Sequence, residues 1–191
     1  MVAAEIQEAA KRGANFIELR LDFLARAVDF KRFTPYKQCP WVATLRRPVD
    51  GGRYPGTEAD RQTTIRQAIV SGAFEWVDLE MDIAPKIPRF GKVQRIISYH
   101  NFSETPTDLE GIYAEMLKLD ADVYKVAVLA QSPEDVMRVV NPANSPEIDR
   151  RIRDGRYRAV FPLPGTEVWG TVDLHGIQQG TRRRTGDTVS R

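Results

Sequence analysis

Three stretches, "NFIELRLDF" from Asn15 to Phe23, "FEWVDLEMD" from Phe74 to Asp82 and "ADVYKVAVLA" from Ala121 to Ala130, share a pattern that few folds accept. Each is rich in β-forming residues, and each sets charges among them: Glu18 and Arg20, then Glu80 and Asp82, then Lys125. In an open doubly wound sheet both faces of a strand are covered, so strand centres read as nearly continuous apolar runs. Charges projecting from strand centres suit a barrel whose interior opens onto a site.

The segments around them alternate with helices. Val2 to Arg12 carries Ile6, Ala9 and Ala10 at helical spacing and stops at Gly13. Trp41 to Leu45 reads as a strand. Thr57 to Ser71 reads as a helix capped by Thr57 or Thr63, with Ile65 and Ile69 on one face. Val93 to Tyr99 reads as a strand, Asp108 to Leu119 as a helix, and Pro133 to Val140 as a helix entered through Ser132. Strand–helix alternation implies a parallel sheet. The expected fold class is therefore α/β, a (β/α)8 TIM barrel that is incomplete, with about five recognisable units. A whole barrel of this type takes roughly 200 to 250 residues, and the five units here run to Val140 of a 191-residue chain. The chain also opens on a helix, as if the strand before it were missing.

Composition excludes several classes. No run of about 18 apolar residues marks a membrane span, and the opening "MVAAEIQEAAKRGA" lacks the apolar core of a secretory signal, so a cytoplasmic location is expected. Cys39 is the single cysteine, which excludes an internal disulfide and a multi-cysteine zinc site. A net charge of +2 gives no strong pull toward nucleic acid. The arginines are uneven, however: nine of them and no lysine follow Asn141. The chain divides at that point into residues 1–140, patterned as a partial barrel, and residues 141–191, an Arg-rich tail without regular patterning.

Two residues stand out chemically. His100, one of only two histidines, ends the apolar strand of "RIISYHNFSETP", where barrels and open α/β sheets carry their active sites. A hydrogen-bonded strand-end histidine is the plain alternative. Lys125 is a lone lysine inside "VYKVAVL", and lysine is rarely enclosed unpaired. Either it snorkels from a strand edge, or it is an amine in a desolvated site, ready to attack a carbonyl and form a Schiff base. In "ATLRRPVDGGRYPG", Arg46 can hold a carboxylate by a two-pronged fork. Asp50 can orient a histidine, and two glycines allow a tight turn over a ligand; an ordinary βα loop is the plain alternative. Glu18 and Arg20 share a strand face, either paired with each other or contacting substrate.

Together "ELRLD", "ATLRRPVDGG", "WVDLEMD", "IISYHNFSETP" and "DADVYKVAV" resemble one family, the type I 3-dehydroquinate dehydratases of the shikimate pathway. The resemblance spans roughly Val2 to Val140. It implies a hydro-lyase that converts 3-dehydroquinate to 3-dehydroshikimate. Lys125 would be the Schiff-base lysine and His100 the general acid/base. Asp50 would orient His100 from a position where the family has Glu, and Glu18, Arg20 and Arg46 would bind substrate. No cofactor and no metal are implied, and the partner is the small substrate, not nucleic acid or membrane; a homodimer is compatible with the resemblance.

The tail departs from the family, which continues with a loop containing Gly-x-x-Ser-Arg, then Phe-Gly and a closing strand. A disordered basic extension is one explanation. The other is a one-base slip of the reading frame near Asn141 to Pro146. In the alternative frame the codons of "DGRYR" (Asp154 to Arg158) permit Met-Gly-Asp-Ile-Gly, those of Phe161 and Pro162 permit Ser-Arg, and those of Val168 and Trp169 permit Phe-Gly. The family elements return in order, which favours the slip. Arg156, Arg158, His175 and the run from Arg182 to Arg184 are then accidents of frame, and the expected activity of this chain is impaired; the alternative is a non-catalytic barrel-derived binding protein, or an inactive gene fragment.

Overall fold

The computed structural model describes residues 2–24 and 28–140, together with the backbone of 157–162 and 169–172. Five parallel strands lie side by side in chain order: β1 (Ile17–Arg20), β2 (Trp41–Thr44), β3 (Trp76–Glu80), β4 (Gln94–Asn101) and β5 (Val123–Val128). The helices are α1 (Val2–Lys11), α2 (Glu58–Val70), α3 (Leu109–Leu117) and α4 (Pro133–Val140). This is the expected wall of a (β/α)8 barrel, incomplete, with the five units legible in the sequence.

The helix boundaries follow from their caps. Thr57 Oγ1 accepts the Asp60 N–H at the start of α2, Asp108 Oδ1 accepts the Gly111 N–H at the start of α3, and Ser132 Oγ accepts the Asp135 N–H at the start of α4. Two connections use 3₁₀ turns instead of α-helices, Phe30–Tyr36 before β2 and Ala84–Lys86 before β4. Pro35 and Pro85 lie inside them, and proline removes the N–H that a longer helix needs.

The first strand is shorter than the alternation suggests. It ends at Arg20, and Leu21–Phe23 form a 3₁₀ turn. The cause is tertiary: the buried Asp22 carboxylate accepts the backbone N–H groups of Arg46 at 3.4 Å and Arg53 at 3.0 Å and pairs with Arg20, which turns the chain out of the strand.

Two strands beyond Val140 were not apparent in the sequence pattern. β6 (Tyr157–Pro162) pairs parallel with β5, and β7 (Trp169–Val172) pairs antiparallel with β6. Tyr157, Val160 and Phe161 are β-formers, but Arg156 and Arg158 interrupt the run on one side and Pro162 closes it on the other. The rest of the Arg-rich tail, with Arg156, His175, Arg182 to Arg184 and Val168, lies outside the described residues.

The two faces of β1–β5 differ in chemistry. One packs on the helices: Trp41, Ala43 and Leu45, Val77 and Leu79, Ile97, and Tyr124, Val126 and Val128 join Ile6, Ile65, Ala68, Tyr113, Met116 and Val139 in one apolar core. Burial of each large side chain here contributes about 1.5–3 kcal/mol. The other face carries Thr44, Asp78, Glu80 and Ser98, all buried and all polar.

Candidate active site

The polar face is assembled by register. Arg20 lies beside Thr44, Thr44 beside Asp78, Glu80 beside Ser98, Ser98 beside Lys125, and His100 beside Ala127. Side chains two apart on a strand share a face. The same register therefore turns Glu18, Arg20, Thr44, Asp78, Glu80, Ser98, His100 and Lys125 inward together, and Arg46 enters from just beyond β2.

Asp78 is the hub of this interior. It accepts Arg46 Nη1 at 3.1 Å and Nη2 at 2.8 Å, Ser98 Oγ at 2.5 Å and Lys125 Nζ at 3.2 Å. Arg46 Nη1 also donates to Glu80 Oε1 and to Ser98 Oγ, each at 3.0 Å. Glu80 Oε2 takes Arg61 Nη1 at 2.9 Å, and Arg61 donates in addition to the Leu45 carbonyl and to Glu58. Glu18 accepts Thr44 Oγ1 at 2.6 Å. A polar interior of this kind is tolerated because nearly every group in it has a partner of opposite sign.

The charges set the protonation states. Burial alone would raise the Asp78 pKa, but the neighbouring cations Arg46 and then Lys125 outweigh it and hold the carboxyl well below the usual range. At Glu80 burial wins over Arg46 and Arg61, and its pKa is raised. Burial would lower the Arg46 pKa, yet Asp78 and Glu80 raise it, so its guanidinium stays charged. Burial, and next the positive charge of Arg46, pull His100 down from 6.5 to about 2. Its imidazole is thus neutral at pH 7 in this unliganded interior.

The residues singled out from sequence do not all behave alike. Lys125 and His100 stand on adjacent strands of the one interior. Lys125 is paired with Asp78, and His100 Nδ1 is buried with no hydrogen-bond partner among the described residues. Arg46 is engaged by the protein's own carboxylates. Arg20 forks onto Asp22 at 2.9 and 2.7 Å and remains part-exposed. Asp50 accepts Arg47 Nε at 2.5 Å, and Arg47 reaches on to Asp82 at 2.7 Å; no hydrogen bond joins Asp50 to His100 among the described residues. The Asp50 loop does border the histidine. A Cβ on Gly51 would meet the Phe102 ring at 2.6 Å, and that ring lies 5.8 Å from the His100 ring, centroid to centroid. The glycine pair closes on protein rather than ligand: Gly51 has φ 76°, and a Cβ on Gly52 would come within 2.1 Å of the Arg46 carbonyl.

Asp78, Ser98, Thr44 and Arg61 were not singled out as site residues. The signal for Asp78 was present, since it continues the two-residue period of Glu80 and Asp82 in "WVDLEMD". Arg61 sits on a helix, and nothing local reveals that its guanidinium turns into the barrel wall. Among the described residues no group of histidine, cysteine and carboxylate side chains can hold a metal ion.

An amine and a neutral imidazole on adjacent parallel strands of one interior, backed by a buried ion network, make up a candidate (β/α)-barrel enzyme site. The comparisons narrow the class. The chain matches type I 3-dehydroquinase over residues 1–147, and it belongs to that family. It is 38% identical over 150 residues to a 3-dehydroquinate dehydratase of Methanopyrus kandleri, covering 74% of this chain and 68% of that protein. It is 34% identical over 139 residues to the Dehalococcoides mccartyi (strain ATCC BAA-2266 / KCTC 15142 / 195) 3-dehydroquinate dehydratase, covering 68% of this chain and 60% of that one. Among solved structures, type I 3-dehydroquinate dehydratase from Clostridium difficile superposes with a TM-score of 0.70 at 23% identity, over 84% of this chain and 69% of that one. The Geobacillus kaustophilus 3-dehydroquinate dehydratase does so with a TM-score of 0.64 at 24% identity, over 84% of this chain and 67% of that one. These structural likenesses speak for the fold. The chain spans only 68% and 60% of the two curated relatives' lengths.

Proposed function

We propose that this chain carries the dehydrating site of a 3-dehydroquinate dehydratase, acting through a Schiff base on Lys125. The observation that carries the reading is the pair itself. An amine held at 3.2 Å from a buried carboxylate shares its interior with a neutral, buried imidazole on the next strand. Lys125 attacks the ring ketone; a C=N bond forms and the ketone oxygen leaves as water. The resulting iminium acidifies the adjacent C–H. His100 takes that proton, the electrons form the C=C bond, and the β-hydroxyl departs with the proton that His100 returns. Hydrolysis of the iminium frees Lys125. Glu18 and Arg20 lie along the wall toward substrate, and Arg46 forms the floor. Asp50 acts on His100 through the loop packed on Phe102. The reading includes a cytoplasmic location and admits a homodimer.

The test is chemical. Incubation with 3-dehydroquinate and borohydride should reduce the iminium and leave the ligand fixed to the Lys125 peptide. A folded sample that shows no adduct by intact-mass and peptide analysis removes the Schiff-base role.

A further inference from the structure

We propose that Asp78 is the counter-ion and positioning residue of the Lys125 amine, fixing Nζ as an ammonium and accompanying its positive charge when the nitrogen becomes an iminium. This rests on the reading of Lys125 as the Schiff-base lysine. Asp78 is 2% exposed at the centre of β3, and its carboxylate takes four hydrogen bonds from three directions: two from Arg46, one from Ser98 and one from Lys125.

The charge balance explains why an anion belongs there. An ammonium and a ketone yield an iminium and water; the nitrogen carries one positive charge before and after. A fixed carboxylate therefore stabilises both ends of the condensation. What it opposes is the transient free amine and the deprotonated imine, the second of which is a poor electron sink. An unshared buried carboxylate would hold the ammonium too firmly. Arg46 and Ser98 share its charge, so the contact to Lys125 is the longest of the four. Among the described residues the other charged or titratable groups around this pair are Arg46 beyond β2, Glu80 on β3, His100 on β4 and, acting through Arg46, Glu18 on β1. On β6 the register position beside Lys125 is Arg158.

The experiment compares wild type with Asp78→Asn, Asp78→Glu and Ser98→Ala. The first readout needs no substrate: lysines are methylated with ¹³C-formaldehyde and borohydride, and the Lys125 signal, assigned with Lys125→Arg, is titrated by NMR. Asp78→Asn should lower its midpoint by more than one pH unit, a tenfold change in the equilibrium. Ser98→Ala keeps the carboxylate, removes one of its donors and should raise the midpoint. The second readout is borohydride capture of the 3-dehydroquinate adduct against pH. Its alkaline limb should move to lower pH in Asp78→Asn, with kcat down more than tenfold and KM within about threefold, and Asp78→Glu should recover part of both. A merely structural role would move neither the midpoint nor the limb. An unchanged Lys125 midpoint in folded Asp78→Asn overturns the proposal. Where Asp78→Asn fails to fold, Ser98→Ala decides, and an unmoved or lowered midpoint overturns it. A wild type that captures no adduct yet shows the midpoint shifts removes the Schiff-base reading and leaves the ion pair standing.

Discussion

Arg61→Met should destabilise the chain by an amount that pH controls. Arg61 is fully buried, and its guanidinium donates to Glu80 at 2.9 Å, to the Leu45 carbonyl at 2.6 Å and to Glu58 at 2.8 Å. Methionine keeps the apolar stem and deletes the charge. Glu80 then relies on Arg46 alone, which already serves Asp78. Removing one partner of a buried ion pair costs about 3–5 kcal/mol, but a stranded carboxylate can escape by taking a proton. From an ordinary pKa of 4.5, neutralising Glu80 at pH 7 would cost about 3.4 kcal/mol at about 1.36 kcal/mol per unit, and the raised pKa of the folded state makes it cheaper than that. That sets a ceiling on the electrostatic loss. The unpaired Leu45 carbonyl adds about 1 kcal/mol. The expected loss at pH 7 is therefore about 3–4 kcal/mol, of a domain total of about 5–15 kcal/mol. At pH 5 the same escape is cheaper by about 2.7 kcal/mol, so the gap between variant and wild type should narrow to about 1–2 kcal/mol. Urea unfolding followed by tryptophan fluorescence reads both values; with m near 2 kcal/mol/M the midpoint should fall by roughly 1.5–2 M at pH 7. Adding Glu80→Gln should recover part of the loss at pH 7. A loss under 1 kcal/mol at pH 7, or a larger loss at pH 5 than at pH 7, refutes the claim that Arg61 acts as the second cation of the interior.

Three further outcomes follow from the same geometry. His100→Ala should cut turnover by roughly 10²-fold or more while borohydride still captures the Lys125 adduct; unchanged turnover removes the general-base role. Because the folded pKa of His100 is lowered to about 2 from 6.5, the unfolded chain binds more protons between those values, and stability should rise with pH across that window. Acid titration of wild type against His100→Asn checks this, the variant showing the shallower rise; equal slopes refute it. Gly52→Ala should lower the melting temperature and the yield of Lys125 adduct together, because its Cβ would press on the Arg46 carbonyl at 2.1 Å and shift the residue that anchors Asp78; a variant matching wild type in both shows that the turn adjusts freely.

Most of the barrel wall was legible because each strand and helix announces itself locally. Trp41 to Thr44 sets aromatic and β-branched residues around a single alanine, and Thr57, Asp108 and Ser132 are caps in place. What was not legible is decided at a distance. β1 stops at Arg20 because Asp22 is claimed by backbone 24 and 31 residues away. β6 is hidden because its apolar run is short, follows Arg156 and Arg158, and ends at Pro162. At the site, Lys125 and His100 were visible as singular residues in unusual positions. Asp78 was one carboxylate among several on its strand, and only the tertiary hydrogen bonds show that it lies between Arg46 and Lys125. The partner of Asp50 was hidden for a related reason: Arg47 is drawn toward it by Asp82, which is 35 residues away from Arg47 in the chain.

The ion network ties the site to the fold in a way that an apolar interior would not. Arg46 links β2 to β3 and β4, Lys125 links β5 to β3, and Arg61 links α2 to β3. Each bond that positions a reacting group is thus also a bond between strands. β1 is the edge of the sheet among the described residues, four residues long and carrying Glu18 and Arg20, and a short charged edge resists pairing with other chains. It is held at the site side by Glu18 to Thr44 and by Arg20 through Asp22 to the Arg46 backbone. Loss of a partner along Arg20–Asp22–Arg46 or along Arg61–Glu80–Arg46 therefore reaches Asp78 within three bonds. Core substitutions on the helix-facing side, such as at Ile97, should lower stability while leaving the Lys125 titration in place. Substitutions on the inner face should move both, and that difference separates the two sides of one sheet by experiment.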